Sequence, residues 1–207
     1  MTPDVLQQLT SSDAVLGRLI HEVGPCTLKP ETRRPPFQSL VLAVAHQQLN
    51  GIAANTILRR FIKLFPGRRF PRPEDLDSVS DETLRSAGFS RAKVASIRDI
   101  AAKSLAGIVP TSRQIVHLSD DEIITRLTEI RGVGRWTAEM LLIFQLGRPD
   151  VLPADDFGVR NGFRIVYRRR KMPTANQLLA HGELWRPSRT TAAWYLWRAA
   201  DRAKKTA

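Results

Sequence analysis

The 207-residue chain is 43% hydrophobic and 25% charged, the balance of a globular protein long enough to bury a proper core. Its 32 Lys and Arg against 20 Asp and Glu leave a net charge of +12, a field that draws polyanions. No apolar run reaches the roughly 18 residues of a membrane span, no signal-peptide pattern opens the chain, and the lone Cys26 excludes an intramolecular disulfide, a cysteine-based zinc site and a four-cysteine iron–sulfur cluster. His21, His46, His117 and His181 are scattered without ligand spacing. Nucleic acid is therefore the expected partner rather than a membrane, and the reducing cytoplasm the expected compartment, on the nucleoid if the cell is bacterial.

In chain order the pattern is helical almost throughout. "DAVLGRLIHEVG" has apolar residues at helical spacing and stops at Gly24 and Pro25. "TLKPETRRPP" is a proline-broken loop. "FQSLVLAVAHQQL" and "NGIAANTILRRFIKLF" read as two helices, the second entered near Asn50 and Gly51. After the Pro- and Arg-rich "PGRRFPRPEDL" come "SDETLRSAG", stopped by Gly88, and "SRAKVASIRDIAAKSL", capped by Ser90. "SDDEIITRLTEI" opens with Ser119 and Glu122 at capping-box spacing. "GRWTAEMLLIFQLG" ends at Gly147, "GFRIVYRRR" can continue a helix from Asp156, and "RTTAAWYLWRAADRAKK" is helical and increasingly basic. No segment alternates with period two, so the expected fold is an all-α bundle of about ten short helices.

Two features carry chemistry. In "LTEIRGVGRWTAEML", Gly132 and Gly134 make a tight turn between two helices, where exposed amides at the second helix's N-terminus can hold a phosphate and Arg131 and Arg135 stand beside it. In "VLPADDFGVRNGF", two carboxylates, Asp155 and Asp156, sit in a strongly basic chain. The turn resembles the helix–hairpin–helix motif of the base-excision DNA glycosylases, in which an Asp follows about twenty residues downstream; Asp155 and Asp156 lie 21 and 22 residues after Gly134. "AHQQLNGIAANTI" resembles the family segment carrying a DNA-wedging residue, "LRSAGFSRAKVASIRDIA" its "GFS–Lys" segment, and "LWRPSRTTAAWYLW" the C-terminal helix of the alkyl-base branch. The resemblance runs from about residue 38 to 200 and looks most like the compact AlkA-type 3-methyladenine DNA glycosylase II.

The resemblance implies one glycosylase domain over residues 1–207, with two helical lobes, an active-site cleft between them and the hairpin at about 121–147. Bifunctional members carry a nucleophilic Lys two residues after the second hairpin glycine. This chain has Trp136 there, which implies a monofunctional enzyme using water. The substrate implied is double-stranded DNA holding alkylated bases of the 3-methyladenine and 7-methylguanine type, the protein acting as a monomer. Such a base is cationic and leaves readily, so one carboxylate suffices to stabilise the oxocarbenium-like sugar and activate water. Asp156, with Val159 three residues on, fits the family pattern for that carboxylate, and Asp155 reads as the helix cap. Trp136 and Trp185 are the expected aromatic walls for the base, while Trp194 and Trp197 are read as core. Met140 stands where larger relatives have Tyr. The wedge falls at Gln48, Leu49 or Asn50. DNA contacts are expected from Gly132, Gly134, Arg131, Arg135 and Thr137, and a Na+ or K+ on the backbone carbonyls of Thr128, Ile130 and Val133, with no other cofactor. Action on deaminated or oxidised bases, and a non-catalytic DNA-binding module, are the alternatives.

Overall fold

The computed structural model describes residues 3–206. Among them the chain forms α1 (Pro3–Ser12), α2 (Ala14–Val23), α3 (Pro36–His46), α4 (Gly51–Lys63), α5 (Asp81–Ser86), α6 (Arg91–Leu105), α7 (Ser112–Ile115), α8 (Asp120–Thr128), α9 (Arg135–Phe144), α10 (Phe157–Val166), α11 (Ala175–Gly182) and α12 (Arg189–Thr206). Two 3-10 turns, Pro73–Ser78 and Glu183–Trp185, complete the described elements, and none is a strand. The all-α expectation holds, and α1, α7 and α11 are additions to it. The last two announce themselves by the capping boxes Thr111/Gln114 and Thr174/Gln177. No described helix is long and apolar enough to cross a membrane.

Of the caps expected from the sequence, Ser90 and Ser119 are in place, each accepting an amide of the following first turn, as Asn50 and Ser80 also do. Gly88 and Gly147 take positive φ of 112° and 66° where α5 and α9 give way to loops.

The chain divides into two compact units. One comprises residues 1–31 and 142–207, the other residues 32–141. In the first, α1, α2, α10 and α12 close on a core that includes Leu9, Leu16, Phe163, Trp185, Tyr195 and Leu196. Gly162 lets α10 press onto α12, since a Cβ there would collide with the Leu196 carbonyl. In the second, Phe61 lies at the centre of edge-on contacts with Phe65, Phe70 and Phe89, and α3, α4 and α6 bury Leu40, Val44, Leu58 and Ile97. Arg98 on α6 reaches the carbonyls of Leu76 and Val79 and pairs with Asp81 at 2.9 Å, fixing the Pro73–Ser78 turn.

Candidate functional site

The hairpin between α8 and α9 belongs to the second unit. Gly132 has φ 76°, and a Cβ on it would collide with the Ser96 hydroxyl, so glycine is required twice over. Gly134 differs, because a Cβ there would meet nothing within 4 Å. The hairpin is tied to α6: the Arg131 amide donates to Asp99 Oδ2 at 2.7 Å, and Lys103 Nζ donates to the Glu129 carbonyl. The amides of Arg135, Trp136 and Thr137 precede the first intrahelical acceptor of α9, giving that end partial positive charge. Ile130's carbonyl accepts the Val133 amide at 3.0 Å and keeps a second lone pair, so it can still coordinate a cation.

The side chains of the hairpin are less uniform than the motif implies. Arg131 is exposed. Arg135 pairs with the buried carboxylate of Glu139 at 3.0 Å. Thr137 is only 4% exposed, so its side chain is buried, unlike the exposed Arg131. Trp136 is 45% exposed, and Met140, one turn further along the same face, is half-buried.

A second loop reaches this hairpin. Gln47 Nε2 donates to the Gly132 carbonyl at 3.0 Å. Lys93 Nζ, on α6, donates to the carbonyls of Ala45 at 2.9 Å and Gln47 at 2.8 Å, closing the C-terminus of α3. Burial lowers the Lys93 pKa below its ordinary value. Gln48 then adopts a left-handed φ of 57°, uncommon for a residue with a side chain, and is exposed beside Leu49. Asn50 is committed as the N-cap of α4, its Oδ1 accepting the Ala53 amide at 2.9 Å. Gln48 and Leu49 are therefore the positions left for a wedge.

The carboxylates lie in the first unit. Residues 151–154 are buried, and the Val151 amide donates to Thr190 Oγ1 at 2.9 Å. Arg189 grips Asp150 with two bonds, Nε to Oδ1 at 2.7 Å and Nη2 to Oδ2 at 3.0 Å, and Arg186 adds a third at 2.6 Å. The arginines of "LWRPSR" thus clamp the loop that leads to the acidic pair. Asp156 follows as the N-cap of α10, its Oδ1 accepting the Val159 amide at 2.8 Å. The cap is Asp156 itself, not Asp155 as the sequence suggested; Asp155 is exposed.

The tryptophans are placed differently from the expectation. Trp185 is fully buried, with Nε1 donating to Asp13 Oδ2 at 3.0 Å, so it presents no face to a ligand. Trp197, read as core, donates Nε1 to Asp156 Oδ1 at 2.8 Å and stacks on the partly exposed Phe144 with centroids 5.6 Å apart. Trp194 is buried as expected. Gly158 makes room for this arrangement, because its Cβ would stand 2.8 Å from Trp197 Cδ1 and 3.1 Å from Asp156 Oδ1. Phe157, beside the carboxylate, is 67% exposed. Gly158 and Gly162, four apart on α10, mark in the sequence a face with close approach to another helix, though not which residue lies opposite.

Comparison with known proteins matches residues 41–187 to the model described as "HhH-GPD superfamily base excision DNA repair protein". DNA-3-methyladenine glycosylase 1 of Schizosaccharomyces pombe is 45% identical over 96% of this chain and 87% of its own length. The solved 3-methyladenine DNA glycosylase of that organism, in complex with abasic DNA, superposes with a TM-score of 0.82 at 43% identity, over 94% of this chain and 95% of that one. The DNA-3-methyladenine glycosidase of Bacillus halodurans gives 0.87 at 35% identity, over 99% and 92%.

Proposed function

Because this chain belongs to the HhH-GPD superfamily of base excision DNA repair proteins, we propose that it is a 3-methyladenine DNA glycosylase that flips alkylated bases out of duplex DNA and removes them hydrolytically. The observation that carries this reading is the Asp156 carboxylate, held at the N-terminus of α10 by the Val159 amide and the Trp197 indole. Two donors on one oxygen fix the direction of the group and leave it a positioned negative charge.

The chemistry follows from the substrate's charge. A 3- or 7-methylated purine is cationic, so the glycosidic electron pair moves onto the base nitrogen as the C1′–N bond breaks, and the base departs neutral. Positive charge then builds on the sugar, where Asp156 stabilises it. A water oxygen bonds to C1′ and gives up its proton, with Asp156 as the acceptor that orients it. Trp136 occupies the position where a lysine would form a Schiff base, so no strand cleavage accompanies excision. Trp197, Phe144 and Phe157, which lie in the same unit as Asp156, are aromatic rings available to the base and its surroundings.

Binding draws on Gly132, Gly134, Arg131 and Arg135, with the open space at Gly134 leaving backbone amides accessible to a phosphate. Gln48 is the preferred wedge into the gap left by the flipped base, carried on a strapped turn. A Na+ or K+ on the carbonyls of Thr128, Ile130 and Val133 would add positive charge next to that phosphate. The proposed enzyme acts on double-stranded DNA as a monomer in the cytoplasm, on the nucleoid if the cell is bacterial.

The test is Asp156→Asn. Release of 7-methylguanine from methylated DNA is expected to fall by about a hundredfold or more, with affinity for an abasic duplex retained. Normal turnover by this variant would remove Asp156 from the mechanism. Uracil- and hypoxanthine-containing duplexes, assayed alongside, define the lesion class.

A further inference from the structure

The run Arg168-Arg169-Arg170-Lys171 has no part in the chemistry above, and all four residues are exposed. It starts where α10 ends. Tyr167 closes the helix, Arg168 turns left-handed at φ 50°, and the Arg169 amide returns to the Arg164 carbonyl at 2.8 Å. A β-carbon disfavours that φ, so the chain holds a strained turn at the point where the basic run leaves the helix. The run then borders a concavity of about 740 Å³. Arg169, Arg170 and Lys171 line it with His181, and no carboxylate lies among its described lining residues. Thr174 and Gln177, which close the capping box of α11, line it too. The positive end of that eight-residue helix therefore adds to the same field.

Arg186 and Arg189 in this unit are spent on the Asp150 carboxylate, whereas the run lines a surface with no carboxylate among its described lining residues. Four adjacent cations raise their mutual repulsion, and a concave surface with a helix N-terminus is the geometry that relieves it with a bound polyanion. We propose that this basic concavity is a second grip on the DNA sugar–phosphate backbone, distinct from the hairpin. It rests on the glycosylase reading only in taking DNA as the ligand. Guanidinium forks match phosphate oxygens and carry no sequence preference, which suits a protein that must scan undamaged DNA. Its reach follows from α10, which carries Asp156 at one end and the run at the other. Ten residues of helix span about 15 Å, so the grip lies about that far from Asp156.

The experiment compares the full chain with Arg169→Gln/Arg170→Gln/Lys171→Gln, on a duplex long enough to overrun both grips and carrying an abasic analogue, across a salt series. The slope of log affinity against log salt is expected to shrink by about three, and low-salt affinity to fall at least about tenfold. Release of 7-methylguanine at saturating enzyme stays unchanged, because the three side chains are exposed and remote from Asp156. An unchanged slope overturns the grip, and so does loss of polyglutamate binding without a change of slope, which would mark an acidic protein partner. A reduced slope in an enzyme that releases no base supports the grip while refuting the glycosylase reading.

Discussion

In the proposed reaction Asp156 would serve structure and chemistry with the same oxygen. As an N-cap it satisfies the Val159 amide, and as a carboxylate beside an indole it is aimed. Losing one hydrogen bond to a charged group costs about 1.5–3 kcal/mol. Trp197→Phe, which keeps a ring to stack on Phe144, is therefore expected to lower kcat for excision about tenfold or more, with KM for DNA unchanged. Gly158→Ala is expected to reproduce the effect from the other side, since the added methyl displaces the indole from Asp156. Single-turnover release of 7-methylguanine checks both; a Trp197→Phe enzyme with full kcat would reduce that indole to packing. Trp185 shows the opposite case: motif position made it a wall for the base, yet its ring is enclosed on every side.

At the scale of elements, two close approaches matter. The α10–α12 contact depends on Gly162. Alanine there improves helix propensity by about 1 kcal/mol, but its methyl would strike the Leu196 carbonyl, main chain that no rotamer change can move aside. Gly162→Ala is expected to lose about 2 kcal/mol net, read by denaturant or thermal melting. The other contact joins α3, α6 and the hairpin: Lys93 holds the carbonyls ahead of Gln48, and Gln47 reaches Gly132. Lys93→Met leaves those carbonyls without their cation and frees the turn. Affinity for abasic DNA is expected to drop about tenfold, while residual excision at saturating DNA persists; unchanged affinity would show that the turn at Gln48 needs no strap.

For the whole molecule, the buried carboxylate of Asp13 contributes to acid stability. Asp13 Oδ2 takes hydrogen bonds from Tyr167, from His181 at 3.0 Å and from Trp185 at 3.0 Å, while Oδ1 takes the amides of Val15 and Leu16. Burial alone would raise its pKa, but the donors outweigh burial and hold it at about 2. The same burial, with the Asp13 charge, pushes the Tyr167 phenol above its usual range. Because the folded value is depressed from 3.8, Asp13 stabilises the fold fully above pH 3.8, and that contribution is lost as pH falls through about 2. Asp13→Asn is expected to cost about 2 kcal/mol at neutral pH and to flatten the decline of stability between pH 4 and 2. Melting curves across that range decide it, since a parallel decline in the variant would assign the acid transition to other carboxylates.

What the sequence determined by itself was everything written in local pattern. Helical spacing, the Ser and Asn caps, the glycine turn, the charge of +12 and the interval from Gly134 to the acidic pair were legible because each depends on residues a few positions apart, or on totals. Only the tertiary structure could say which tryptophan meets Asp156, since Trp185 and Trp197 differ not in local pattern but in what lies opposite them. Thr137 is buried, which its place in the motif does not reveal. The clamps by Arg186 and Arg189 on Asp150 bridge more than thirty residues, and the Lys93 strap bridges more than forty. Such contacts form when packing brings distant segments together, and a local pattern carries no record of that.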